Sequence, residues 1–276
     1  MEFKNLILKK KDRIATITLN RPRSRNAVNA DLAADLEVVM ADLYKDDDIR
    51  VVVLTGAGKT FCAGGDFQYG KLGSGEINVE LAHDNRPAYE DMAKGKYPPG
   101  WVNTVLLPLL HLDKPTIAMV NGSAVGAGLD LSLACDMRIG TPGTQFIVGF
   151  TRVGLPDDMG GCWLLPKIVG MGRALEILYT SDPVAGEEAH RIGLLNKLVP
   201  DGSLQKETLA FATRLAQGPP MAYRLIKSQV YRSHQFDMET ALMVSMSLAT
   251  HALHSQDHKE GIRAWAEKRP PNFQGR

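Results

Sequence analysis

The chain has 276 residues, enough for one large domain or two small ones at roughly 150 residues each. Its 44% hydrophobic and 23% charged residues are ordinary globular proportions. Lys+Arg 32 against Asp+Glu 31 leaves a net charge of +1, without the basic surplus that a phosphate-binding face needs, so nucleic acid is not an expected partner. The N-terminal MEFKNLILKKKDR has no apolar core or small-residue cleavage site, so secretion is not expected. No apolar stretch approaches the ~20 residues of a membrane span, and the richest, Trp101 to Leu112, is broken by Asn103, Thr104, Pro108 and His111. Cys62, Cys135 and Cys162 are too few and too scattered for a disulfide framework or a zinc ribbon. A cytoplasmic location and a soluble enzyme are the expectation.

In chain order, Ile14 to Leu19 is β-branched and reads as a strand, and RPRSRN as a turn. From Asn29, a plausible N-cap, the period becomes 3.6, with Leu32, Leu36, Val39 and Leu43 on one face and Asp31, Asp35 and Asp42 polar. Ile49 to Leu54 is a continuous apolar run closing at Gly56, as expected of a strand buried on both faces. Pro115 to Val120 repeats that signal and stops at Gly122. Such alternation predicts an α/β layer with crossovers. Residues 70–105, with five glycines, three prolines, Tyr89, Tyr97 and Trp101, read as a long loop, either functional or disordered. After about Pro200 no strand is evident. The segments 204–215, 221–231, 238–253 and 258–268 read as helices, so the organisation expected is a core over 1–200 and a helical region over 201–276.

Several motifs fall away on inspection. GAGKT at 56–60 would need a glycine five residues before Gly58 to be a phosphate loop, and Val53 stands there. NGSAVGAG at 121–128 opens a helix but lacks the dinucleotide spacing. His251, His254 and His258 could share a helical face, yet no carboxylate-rich second shell accompanies them, and no metal is expected. Tyr223, Arg224, Lys227 and Arg232 read as a solvated helix face. What remains is a pair of strand-to-glycine junctions, Cys62-Ala63-Gly64-Gly65-Asp66 and Gly126-Ala127-Gly128. Glycines admit a ligand close to the backbone, and a helix N-terminus offers free N–H groups with partial positive charge. Two such groups aimed at one carbonyl oxygen make an oxyanion hole, each worth about 3 kcal/mol in a transition state. Singly, either junction could be only a tight turn.

Together, and in this order, the two junctions resemble the crotonase (enoyl-CoA hydratase/isomerase) superfamily. LNRPRSRNAVN, FCAGGD, NGSAVGAGLDLSLACD, VGLPDDMGGCWLLPKIVG, AHRIGLLNKLVP and EGIRAWAEKRPPNF follow the order of that family over nearly the whole chain. The resemblance implies an α/β crotonase-like spiral of ββα units with a helical C-terminal trimerisation region, and a homotrimer or dimer of trimers. It implies an acyl-CoA thioester substrate whose carbonyl is held by the N–H groups of Gly65 and Ala127, with an enolate as intermediate. Arg23, Arg25 and Lys59 become candidates for the CoA phosphates and adenine end. Ala63 is expected to meet the adenine through its carbonyl, and Lys268 to serve a neighbouring subunit's CoA. Each of these cations could equally be ordinary surface charge. No tightly bound cofactor is implied, since coenzyme A enters as part of the substrate.

Hydratases of the family deliver water with two glutamates. Asp130 stands at the first position, three residues after Ala127 and so on the same helical face. Phe150 stands at the second, and a phenyl ring moves no proton. Asp158 matches a position where several isomerases of the family carry an acid. The residues Phe150, Trp101, Phe67 and Trp163 are expected as apolar walls that raise an aspartate toward the range of a useful base. The 70–105 segment is expected either to enclose a bulky or cyclic acyl group or to be a mobile surface loop. Asp130 could also be a first-turn acid favoured by the helix dipole, and Asp158 a helix cap. Asp157 is expected outside the site, and Asp66 is read as structural. The expectation is isomerisation of an enoyl-CoA double bond with Asp158 as principal base and Asp130 assisting, followed closely by hydration with both aspartates orienting water. The rivals are a hydrolase opening a cyclic keto-acyl-CoA or β-diketone, and a non-catalytic acyl-CoA binder.

Overall fold

A computed structural model describes residues 3–66, 102–233 and 235–276. Strands β1 (Leu6–Lys11) and β2 (Ile14–Leu19) form a hairpin, and β1 is an element the sequence reading did not anticipate. Helix α1 (Ala30–Lys45) leads to β3 (Val51–Gly56), whose short continuation β4 (Thr60–Cys62) turns into a second sheet. A π-helical turn, Val102–Leu106, opens α2 (Leu107–His111). The same long-then-short pairing recurs as β5 (Thr116–Val120) with β6 (Ser123–Val125), followed by α3 (Ala127–Ala134). It recurs again as β7 (Met137–Gly140) with β8 (Gln145–Ile147), followed after a 3-10 turn at Phe150–Val153 by α4 (Gly161–Val169). Helix α5 (Met171–Thr180), β9 (Val184–Ala185), α6 (Gly186–Arg191) and β10 (Lys197–Leu198) complete this part. Four helices end the chain: α7 (Leu204–Ala216), α8 (Pro220–Ser233), α9 (Met238–Leu253) and α10 (Gln256–Ala266).

The first sheet has the order β1-β2-β3-β5-β7-β10 and is parallel from β2 onward; the second has the order β4-β6-β8-β9. Successive ββα units therefore wind between two sheets, as the family spiral implies.

The apolar run at β3 is buried throughout because both its faces are covered. Val52 and Leu54 join the large core with α1, whose Leu32, Leu36, Val39 and Leu43 are buried along the anticipated stripe. Val51 and Val53 face the other way, onto a smaller core closed by Ala212 and Ala216 of α7. The two-residue period of a strand thus divides one valine run between two cores. Asn29 caps α1, its side chain accepting the Leu32 N–H at 3.0 Å. Lys227 of α8 departs from the solvated face expected of it, reaching the Asp136 carboxylate at 3.0 Å and the Lys114 carbonyl at 3.2 Å. Tyr231 donates to the same carboxylate at 2.9 Å, so one face of α8 is fastened to the sheet. No described helix is long and apolar enough to cross a membrane.

Candidate active site

The site grows from the ends of β4 and β6. Val28 and Gly65 form an isolated parallel bridge, in which Val28 N–H bonds Gly64 O at 2.8 Å and Asp66 N–H bonds Val28 O at 2.9 Å. That pattern spends the polar groups on either side of Gly65 and turns the N–H of Gly65 itself away from Val28. Gly64 has φ +93°, and a Cβ on it would lie 2.8 Å from Val125 O and 3.6 Å from the Ala127 nitrogen. Among the described residues nothing lies within 4 Å of the corresponding position on Gly65. The segment therefore runs directly beside the start of α3.

Ala127 is the first residue of α3, where N–H groups lack an intrahelical acceptor. Gly126 before it has φ +51° and ψ −124°, a conformation foreign to residues with a Cβ. A Cβ on Gly128 would collide with the backbone and side chain of Cys62, so α3 can lie this close to β4 only with glycine there.

Arg23, Arg25, Lys59 and Ala63 come from two turns that touch. A Cβ on Gly58 would sit 3.6 Å from Pro22, and the Ala63 N–H bonds Arg25 O at 3.0 Å. Arg23, Arg25 and Lys59 are exposed there. Lys268 is apart from this cluster, exposed beyond α10, which packs on α9. Asp66 pairs with Arg21 at 2.8 Å.

A cavity of about 870 Å³, large enough for a small-molecule ligand, opens between α2, α4 and α8. Leu106, Leu110, Met159 and Trp163 contribute to its apolar wall, and Asp158 lies on it. Trp163 is 44% exposed, with the Lys167 ammonium 3.3 Å above its ring. Phe150 is elsewhere: its ring approaches Gly126 at the head of α3 and is not on the cavity wall. Phe67 and Trp101, the other expected walls, lie outside the described residues, as does most of 70–105.

Three aspartates occupy this region. Burial pushes Asp158 above the ordinary carboxylate value. Asp130 is completely buried, and among the described residues neither carboxyl oxygen has a nitrogen or hydroxyl hydrogen-bond partner. Burial first, then the neighbouring charge and hydrogen bond of Asp157, push Asp130 well above the ordinary value. A helix-dipole role for an ionised Asp130 does not fit that surrounding. Asp157 was expected outside the site, but it stands against Asp130. A Cβ on Gly161 would clash with Asp157 Oδ2 and Asp130 Oδ1 alike, so both oxygens converge over one backbone position. Asp157 Oδ1 accepts the N–H groups of Met159 and Gly161, each at 3.1 Å. Gly160 is the N-cap of α4, and Asp157, not Asp158, satisfies the N–H of its first residue. Sequence reasoning missed this because an acid two residues before a free N–H signals a turn, whereas its contact with α3 is tertiary.

Among the described residues no group of three or more His, Cys, Asp or Glu could hold a metal ion.

The family model for enoyl-CoA hydratase/isomerase matches residues 9–276. The chain belongs to that family, within the crotonase superfamily. It is 33% identical to the short-chain-enoyl-CoA hydratase of Clostridium acetobutylicum over 98% of this chain and 97% of that one. It is also 33% identical to the 1,2-epoxyphenylacetyl-CoA isomerase of Escherichia coli, over 95% of each chain. The crystal structure of an enoyl-CoA hydratase from Bacillus anthracis superposes with a TM-score of 0.86 at 29% identity, covering 99% of this chain and all of the other. The crotonase fold expected from the sequence is therefore the fold found. Hydratases and isomerases both stand among these relatives, so membership sets the family chemistry without choosing between them.

Proposed function

We propose that this enzyme shifts the carbon–carbon double bond of an enoyl-CoA thioester through an enolate held in an oxyanion hole. The N–H groups of Gly65 and Ala127 take the thioester oxygen. Asp158 removes a proton from the acyl chain. The C–H electron pair passes through the conjugated system to that oxygen, and a proton returned to a different carbon completes the shift, with Asp130 assisting. Arg23, Arg25, Lys59 and Ala63 hold the CoA portion, and Lys268 serves a neighbouring copy. Trp163 forms part of the wall against the acyl group. Coenzyme A enters and leaves with the substrate, and no tightly bound cofactor takes part.

The observation that carries this reading is the placement of the acids. Asp158 lies on an apolar cavity, and Phe150 occupies the position where the family's hydratases keep a second glutamate. A water suspended between Asp130 and Asp158 finds less support, because Asp130 faces Asp157. The deciding experiment offers 2-enoyl, 3-enoyl, dienoyl and cyclic CoA esters to the purified protein in H2O and D2O, with products resolved by mass. Isomerisation yields a product of unchanged mass in H2O that gains deuterium in D2O. A product heavier by one water overturns the reading in favour of hydration or ring opening. Tight binding of CoA esters with no product, unaltered in Asp158→Asn, leaves only a carrier.

A further inference from the structure

Three carboxyl oxygens, both of Asp130 and Oδ2 of Asp157, are buried without a donor from any other group among the described residues. Two of them, Asp130 Oδ1 and Asp157 Oδ2, converge over Gly161. Two buried carboxylate edges that face one another repel, and neither has a protein donor among the described residues to offset its burial. One proton between them resolves both difficulties at once. The geometry points to a carboxyl–carboxylate pair in which Asp130 carries the proton and donates it to Asp157, making Asp157 a positioning residue that keeps Asp130 an acid at neutral pH.

The placement of the proton follows from the donors. Asp157 Oδ1 accepts two backbone N–H groups at the head of α4, which stabilise negative charge there. Asp130 has no such support, so the ionised member is Asp157 and the neutral one Asp130. The other titratable groups facing the pair, among the described residues, are Asp158, Cys62 from β4 and Cys162 from α4, none of them a cation that would draw the proton off. Gly161 is required, since any side chain there would occupy the meeting point.

The catalytic use of this pair rests on the proposed double-bond shift. Asp158, ionised, takes a proton from one carbon and returns it to another, so that it ends the cycle as it began. Asp130, kept neutral by Asp157, puts no second negative charge beside the enolate while it forms, and the pair keeps its proton throughout.

Infrared spectroscopy tests the shared proton without any substrate. At neutral pH the wild type is expected to show the C=O stretch of one protonated carboxylic acid, shifting in D2O and absent from Asp130→Asn. Asp157→Asn keeps an acceptor for the Met159 and Gly161 N–H groups and offers Asp130 an amide donor in place of an anion. Asp130 should then ionise more readily, so the band disappears at neutral pH and the basic limb of kcat moves down by about one pH unit or more, with KM little changed. A wild type without the band overturns the pair whatever the reaction proves to be, and needs no variant to fold. An unmoved band and basic limb in a folded Asp157→Asn protein overturn the role of Asp157. Hydration in the product assay overturns the reaction assigned above while leaving the pair standing.

Discussion

A completely buried aspartate without a donor favours its protonated form, and Asp130 has no donor among the described residues. Its folded value lies above the ordinary carboxylate value of 3.8, so between those two pH values the folded state holds a proton that the unfolded chain releases. The stability it contributes is therefore full below about pH 4 and is lost as pH rises toward the folded value, at no more than about 1.4 kcal/mol per pH unit. Asp130→Asn is expected to remove that loss, so its stability relative to wild type should grow from about pH 4 toward pH 8 in urea unfolding. Parallel curves for the two proteins would contradict the assignment. Asp158 differs, being exposed along one edge of the cavity, where it can change its charge during turnover. Asp158→Asn should lower kcat by roughly 10²–10⁴ while KM for the CoA ester changes little, the pattern of a lost proton-transfer group.

At the scale of elements, the start of α3 is the critical junction. Gly126 reaches φ +51° and ψ −124° so that the chain can leave β6 and begin the helix at Ala127. Gly126→Ala should cost about 1–3 kcal/mol in chemical denaturation, the range for forcing a side chain into such a backbone conformation. It should also lower kcat/KM by displacing the N–H, and a variant that lost stability with full activity would argue against the Ala127 donor. Gly128→Ala should cost a similar ~1–3 kcal/mol by overpacking, because its Cβ would meet Cys62 of β4. The helix period of α1 and the valine run of β3 were legible because each buries an uninterrupted pattern. Strands β4, β6, β8, β9 and β10 have only two or three residues each, too few to show any period. Only hydrogen bonds to distant partners define them.

At the scale of the whole molecule, α9 has no buried residue, although Met238, Leu242, Met243, Met246 and Leu253 lie along it, all exposed. Trp265 and Ile262 of α10 extend the apolar surface, Trp265 at 83% exposure. Apolar area of this kind marks a contact surface, and the homotrimer or dimer of trimers implied by the family order of motifs is proposed to cover it. Sedimentation should therefore show an oligomer, and Met243→Lys with Met246→Lys should lower its mass. A monomeric wild type would remove this proposal, along with the role given to Lys268 across subunits.

Sequence determined the family, because glycines at tight junctions and apolar stripes are local requirements that leave a local record. FCAGGD and NGSAVGAGLD each state a backbone constraint, and β3 and α1 each state a burial pattern, within a few adjacent residues. The acid arrangement was only half legible: Asp130 and Asp158 could be picked out by position, while Asp157 looked like a bystander. Its contact with Asp130 joins the first turn of α3 to the loop before α4, across 27 residues of chain and over a glycine that leaves no trace of the meeting. Lys227 illustrates the same limit, a charge on an amphipathic helix whose partner, Asp136, is found only when α8 folds onto the sheet. Protonation depends on which groups surround a carboxyl in space and on the exclusion of water, and both are properties of the tertiary structure.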